Sequence, residues 1–93
     1  MNIIWTDTAQ NSYFSIIDQV FDKWGIQTVE LLEQQVTDLI NKIKYHHHIC
    51  PKAKFENLHK CVINKHNSLI YRVKNKDTIE IIVFLFNKSE PLF

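Results

Sequence analysis

One glycine, two prolines, two cysteines and a single arginine, Arg72, are the scarce residues of this 93-residue chain. With so few chain breakers and 45% apolar residues, the composition is that of one folded domain spanning residues 1–93. No repeat, low-complexity stretch or linker interrupts it. Two cysteines are too few for the disulfide framework of a small secreted scaffold, so Cys50 and Cys61 read as packing residues in a reduced, cytoplasmic protein. No run reaches the roughly 18 consecutive apolar residues of a membrane span. The opening Met1-Asn2-Ile3-Ile4-Trp5-Thr6-Asp7 lacks the basic start and small-residue cleavage site of a signal peptide. No membrane partner is expected.

What is present is distributed unevenly. Residues 1–40 hold six acids against Lys23 alone, a formal −5, while residues 41–93 hold nine lysines and Arg72 against four acids, a formal +6. All five histidines also fall in the second half. A near-neutral total therefore hides two differently charged parts, which suggests faces with different partners. Because the cations are nearly all lysine, phosphate would be met by point charges rather than by planar, bidentate forks.

Hydrophobic periodicity divides the chain into elements. Asn2 to Trp5 reads as a short strand, and Thr6-Asp7-Thr8 offers helix N-cap oxygens directly after it. Tyr13, Ile16, Ile17, Val20, Phe21 and Trp24 recur at three- and four-residue steps, with Ser12, Ser15, Asp18, Gln19 and Asp22 opposite, which predicts an amphipathic helix. Gly25 stands where that period stops, as a helix-ending glycine should. Val29, Leu32, Val36, Leu39, Ile40 and Ile43 predict a second, antiparallel helix. Pro51 biases Cys50 toward an extended conformation, so this helix should end between Tyr45 and Ile49.

Beyond Pro51 the period falls to two. Leu58–Ile63, Ser68–Val73 and Thr78–Phe86 read as strands, separated at hairpin length by Asn64-Lys65-His66-Asn67 and Lys74-Asn75-Lys76-Asp77. In the last run Ile79, Ile81, Val83 and Leu85 share the face expected to lie under the helices. Ile82, Phe84 and Phe86 would then form an apolar outer face. The expected fold is α+β, in the order β-α-α-β-β-β, with an antiparallel helical hairpin on a small, largely antiparallel sheet.

Several segments carry a family resemblance. Ile3-Ile4-Trp5-Thr6-Asp7-Thr8-Ala9 resembles the opening strand and helix start of the RelE/ParE toxin superfamily of type II toxin–antitoxin systems. Leu39-Ile40-x-x-Ile43 with Pro51 downstream resembles the end of its second helix and the loop that follows. Ser68-Leu69-Ile70-Tyr71-Arg72-Val73 is similar to its third-strand pattern, and Ile79–Phe86 with Asn87-Lys88-Ser89-Glu90-Pro91 to its last strand and exit. The resemblance covers essentially residues 1–93. It implies a bacterial growth-inhibiting toxin, neutralised by a cognate antitoxin and associated with plasmid stabilisation. Possible assemblies are a homodimer or a toxin–antitoxin hetero-oligomer. Two actions occur in the superfamily: ParE-like poisoning of DNA gyrase, and RelE-like cleavage of mRNA on the ribosome.

The residues bear on that choice. Metal-independent RNA cleavage needs a base for the 2′-hydroxyl, charge on the phosphate and an acid for the leaving oxygen. By resemblance, Lys60, Arg72 and Lys88 would be catalytic, and Lys52, Lys54 and His66 would bind RNA. The chain, however, ends Pro91-Leu92-Phe93, where many ribosome-dependent members carry a terminal tyrosine or histidine–tyrosine pair. Its net charge of +1 is also low for docking into ribosomal RNA. The ParE-like action is therefore preferred, with the mRNA endoribonuclease, or a degenerate module that only binds antitoxin, as alternatives.

Phe84, Phe86, Leu92 and Phe93 either bury against the returning C-terminal tail or, as the resemblance implies, form the groove that family antitoxins fill, which makes them the candidate antitoxin-binding residues. His46-His47-His48 could suggest a metal, but neither C-x-x-C nor H-x-x-x-H spacing accompanies it. A helix end, where imidazoles meet the negative pole of the dipole, accounts for the triplet. No metal or other cofactor is expected.

Overall fold

Asn2–Trp5 forms strand β1, and Thr6 turns it into helix α1, Asp7–Trp24. The Thr6 hydroxyl accepts the Ala9 N–H at 3.0 Å and donates toward the Ile81 and Ile82 carbonyls at 3.1 and 2.9 Å. One side chain thus caps the helix and ties its start to the sheet. The computed structural model describes residues 1–53 and 57–87. Gly25, at φ 88°, ends α1 and begins α2, Ile26–Tyr45. Its N–H returns to the Phe21 carbonyl, closing the last turn of α1. Residues with side chains rarely adopt this backbone conformation, which explains the lone glycine.

The remaining strands are β2, Leu58–Val62; β3, Asn67–Asn75; and β4, Thr78–Phe86. They form one sheet in the order β1-β4-β3-β2, antiparallel except for the parallel β1–β4 pair. The fold is α+β, with the element order read from the sequence. Tertiary contacts place α1 against β4 and α2 against α1. Ile16, Val20, Val29, Leu32, Val36 and Ile43 of the helices join Cys61, Leu69, Tyr71, Ile79, Ile81 and Phe84 of the sheet in one core.

The sequence expectation for β4 needs one correction. Tyr71 pairs with Ile81 and Ile70 with Val83, so Ile82 is an extra residue in β4. Such a bulge reverses the side-chain alternation beyond it. Ile79 and Ile81 face the helices as expected, but Phe84 then replaces Val83 on that side. Phe84 is buried, with its ring 5.1 Å from Trp5 and 5.0 Å from Tyr13. Its N–H donates to Ser12 Oγ at 2.9 Å, so α1 grips β4 on both sides of the bulge.

A second correction concerns the cysteines. Cys50 and Cys61 are joined by a disulfide, with their Cα atoms 5.3 Å apart. The pairing depends on chain folding that their spacing in sequence does not reveal.

Candidate functional site

The helices occupy one face of the sheet, and the opposite face gathers two of the expected catalytic cations. Lys60 of β2 lies opposite Ile70, and Arg72 lies two residues further along β3. They are diagonal neighbours on adjacent strands, a separation of roughly 7–8 Å between backbone positions. Arg72 also lies directly opposite Glu80 of β4. Its Nε donates to a Glu80 carboxylate oxygen at 3.0 Å, and its Nη2 donates to the same oxygen. Lys74 Nζ is 4.0 Å from the second oxygen.

Arg72's hydrogen bonds hold the Glu80 carboxyl below the ordinary carboxylate range, against the upward push of partial burial. The charges of Arg72 and Lys74 add to that lowering. Glu80 is therefore an anion engaged with cations, poorly matched to removing a proton near neutral pH. Register and alternation place Ile4, Ile70, Val83, Leu85 and Val62 on the same face. The result is an apolar field crossed by a charge cluster in which Glu80 offsets one of three cations, Arg72 most closely.

The other expected RNA-binding residues stand elsewhere. Lys52 lies opposite His59 in an isolated bridge beside β2, out of phase with outward-facing Lys60. His66 is in the β2–β3 turn, its ring 5.2 Å from Trp24 and 6.3 Å from Phe86. There it borders a cleft of about 230 Å³ between that turn and the helical hairpin, lined also by Val20, Leu31, Leu32 and Asn67. Asn67 Oδ1 is buried without a hydrogen-bond partner among the described residues. The expected Lys54, Lys88, Leu92 and Phe93 lie outside the described residues. Of the two expected antitoxin contacts within the described residues, Phe84 belongs to the core. Phe86 is half-buried beneath Lys23, whose Nζ is 5.5 Å from its ring centre.

The histidine triplet ends α2, with the His46 N–H bonded to the Lys42 carbonyl. His47 accepts the Tyr71 hydroxyl on its carbonyl at 2.7 Å. His59 stacks on Tyr71 at 4.9 Å and places Nδ1 2.7 Å from the Cys50 carbonyl. A carbonyl only accepts, so Nδ1 carries the proton in this contact. Among the described residues, no three of His, Cys, Asp and Glu form a metal-ligand group. Two features escaped the sequence reading, Glu80 and the disulfide. Glu80 becomes visible once the hairpin register sets it opposite Arg72.

The sequence matches no family model and no curated protein. Solved structures do match the fold. The chain is similar to a structure of the chromosomal ParDE TA system from P. aeruginosa, with 15% identity and a TM-score of 0.78 over 95% of this chain and 97% of that one. It is similar to the YoeB/ParE toxin from Agrobacterium tumefaciens, at 19% identity and a TM-score of 0.67, covering 95% and 100% of the two chains. A chain of the YoeB–YefM complex from Staphylococcus aureus matches at 16% identity and a TM-score of 0.64, covering 95% and 98%. The fold is that of the RelE/ParE toxins. On this fold, the sheet face away from the helices combines exposed cations with an apolar surround among the described residues.

Proposed function

We propose that the protein is the toxin of a bacterial type II toxin–antitoxin pair and acts in the cytoplasm through protein–protein contact, as ParE-like toxins act on DNA gyrase. The fold likeness supports the toxin reading, and the ParDE and YoeB–YefM neighbours supply the precedent for an antitoxin partner. The observation that carries the mode of action is the Arg72–Glu80 pair on the open sheet face. A phosphate-binding site needs cations with charge to spare. Here the sole arginine is engaged by a carboxylate among apolar residues, a composition suited to a protein surface. An antitoxin segment would find further apolar anchorage at the cleft beside Trp24 and Leu31, which are 45% and 59% exposed.

The endoribonuclease reading keeps one point in its favour, the shared face of Lys60 and Arg72. Induced expression decides between the two. The expected result is growth arrest with altered supercoiling of a reporter plasmid and intact transcripts. Unchanged supercoiling together with ribosome-dependent transcript cleavage would replace this reading with the nuclease. A chain harmless at high expression, yet bound by its antitoxin, would reduce it to a binding module.

A further inference from the structure

Cys50 and Cys61 occupy matched positions in a backbone pairing that extends the sheet. Lys52 lies opposite His59, the Lys60 N–H donates to the Pro51 carbonyl at 3.1 Å, and the Ala53 N–H donates to the Leu58 carbonyl at 2.8 Å. The same antiparallel register, carried two residues further, sets Cys50 opposite Cys61. Their Cα separation of 5.3 Å is that of directly facing residues on neighbouring strands. Residues 50–53 therefore run as a short strip along the outer edge of β2, which is otherwise the edge strand of the sheet. An exposed edge offers unpaired N–H and C=O groups to any extended chain. In this protein the strip covers it, and a disulfide pins the strip at one end.

We propose that Cys50–Cys61 is a reversible thiol–disulfide site that locks this strip onto β2 and thereby controls access to the sheet edge. Besides the disulfide, the strip is held to β2 by the two backbone hydrogen bonds and the His59–Cys50 contact. Cys61 is 1% exposed, whereas Cys50 is only half-buried, so an external thiolate meets Cys50 first. Attack there forms a mixed disulfide on Cys50, breaks the Cys50–Cys61 bond and releases Cys61 as a thiolate. A second external thiol then frees Cys50, leaving two protein thiols and one external disulfide. In the closing direction, an external disulfide of the glutathione type accepts the two electrons and is reduced to two thiols. Reduction leaves Cys61 in the core and frees the strip.

Hydrogen–deuterium exchange on the full chain tests the site independently of any toxin activity. Samples oxidised with glutathione disulfide and reduced with a phosphine are compared, with cysteine alkylation and intact mass confirming zero and two thiols. The amides of Lys60 and Ala53, which donate across the strip–β2 pairing, should exchange at least tenfold faster after reduction, while those of β4 and α1 stay within twofold. Re-oxidation should restore the slow rates. Cys50→Ser, which leaves the core cysteine in place, should match the reduced protein. Equal rates in both states overturn the proposal. So does acceleration spread through β4 and α1, which would mark a purely structural crosslink, or thiols that fail to reclose.

Discussion

Tyr71 shows how much one side chain can carry. Its ring is buried and stacked on His59, and its hydroxyl reaches the His47 carbonyl, linking β3 to the chain just beyond α2. Burial pushes the phenol above the usual tyrosine value near 10, with the Cys50 backbone opposing it. Tyr13 is shifted the same way, by burial first and then by the negative charge of Glu33. An acid whose folded pKa is raised keeps its proton where the unfolded chain would lose it. The resulting stability is full below pH 10 and is lost as pH rises through the raised folded values. The wild type's stability to urea should therefore fall above pH 10. Tyr71→Phe should begin about 1 kcal/mol less stable at pH 7, for the lost hydrogen bond, and lose less above pH 10. Parallel curves for the two proteins would contradict this. Neither the stacking nor the hydroxyl contact could be read from sequence, because both depend on the path of the chain after α2. Tyr71's alternation within its strand placed it on a face and went no further.

At the scale of elements, legibility followed contrast. Both helices were readable because apolar positions alternate with Ser, Asp, Glu and Gln at helical spacing, and because Gly25 marks the break. In β4, Ile81 to Phe86 are all apolar, so no polar residue records the phase, and the bulge at Ile82 left no mark. Its consequence was the misplaced face of Phe84. Backbone geometry explains the glycine as well as its position. A Cβ on Gly25 would meet nothing within 4 Å, so substitution there carries no clash. The cost is conformational alone, because φ 88° with ψ −177° is a region reached almost only by glycine. Gly25→Ala should therefore lose about 1–3 kcal/mol in chemical unfolding, with the fold and the α1–α2 hairpin retained in its circular dichroism spectrum. A neutral substitution would show that the helix junction relaxes to an ordinary conformation at little cost.

For the molecule as a whole, the charge division seen in sequence maps onto layers. The acid-rich first half builds β1 and the helical layer, while the cation-rich half builds three of the four strands. Among the cations of that half, Lys60, Arg72 and Lys74 lie on strands, and Lys60 and Arg72 share a face. The sequence did not show that Glu80 from the neighbouring strand would engage Arg72, since eight residues and a hairpin separate them. That pairing makes the balance between charge and apolar surface the measurable difference between the two modes of action. If the open face works through protein contact, removing charge should matter less than interrupting the apolar field. Lys60→Ala/Arg72→Ala should retain growth arrest, whereas Ile70→Glu, at a half-buried position between them, should reduce it at least tenfold in colony counts. Thermal unfolding and antitoxin binding must show both variants folded. A nuclease predicts the reverse for the double variant: arrest is abolished with the fold intact, because phosphate neutralisation dominates RNA affinity and its salt dependence. Abolished arrest in that folded double variant would transfer the function of this face from contact to cleavage.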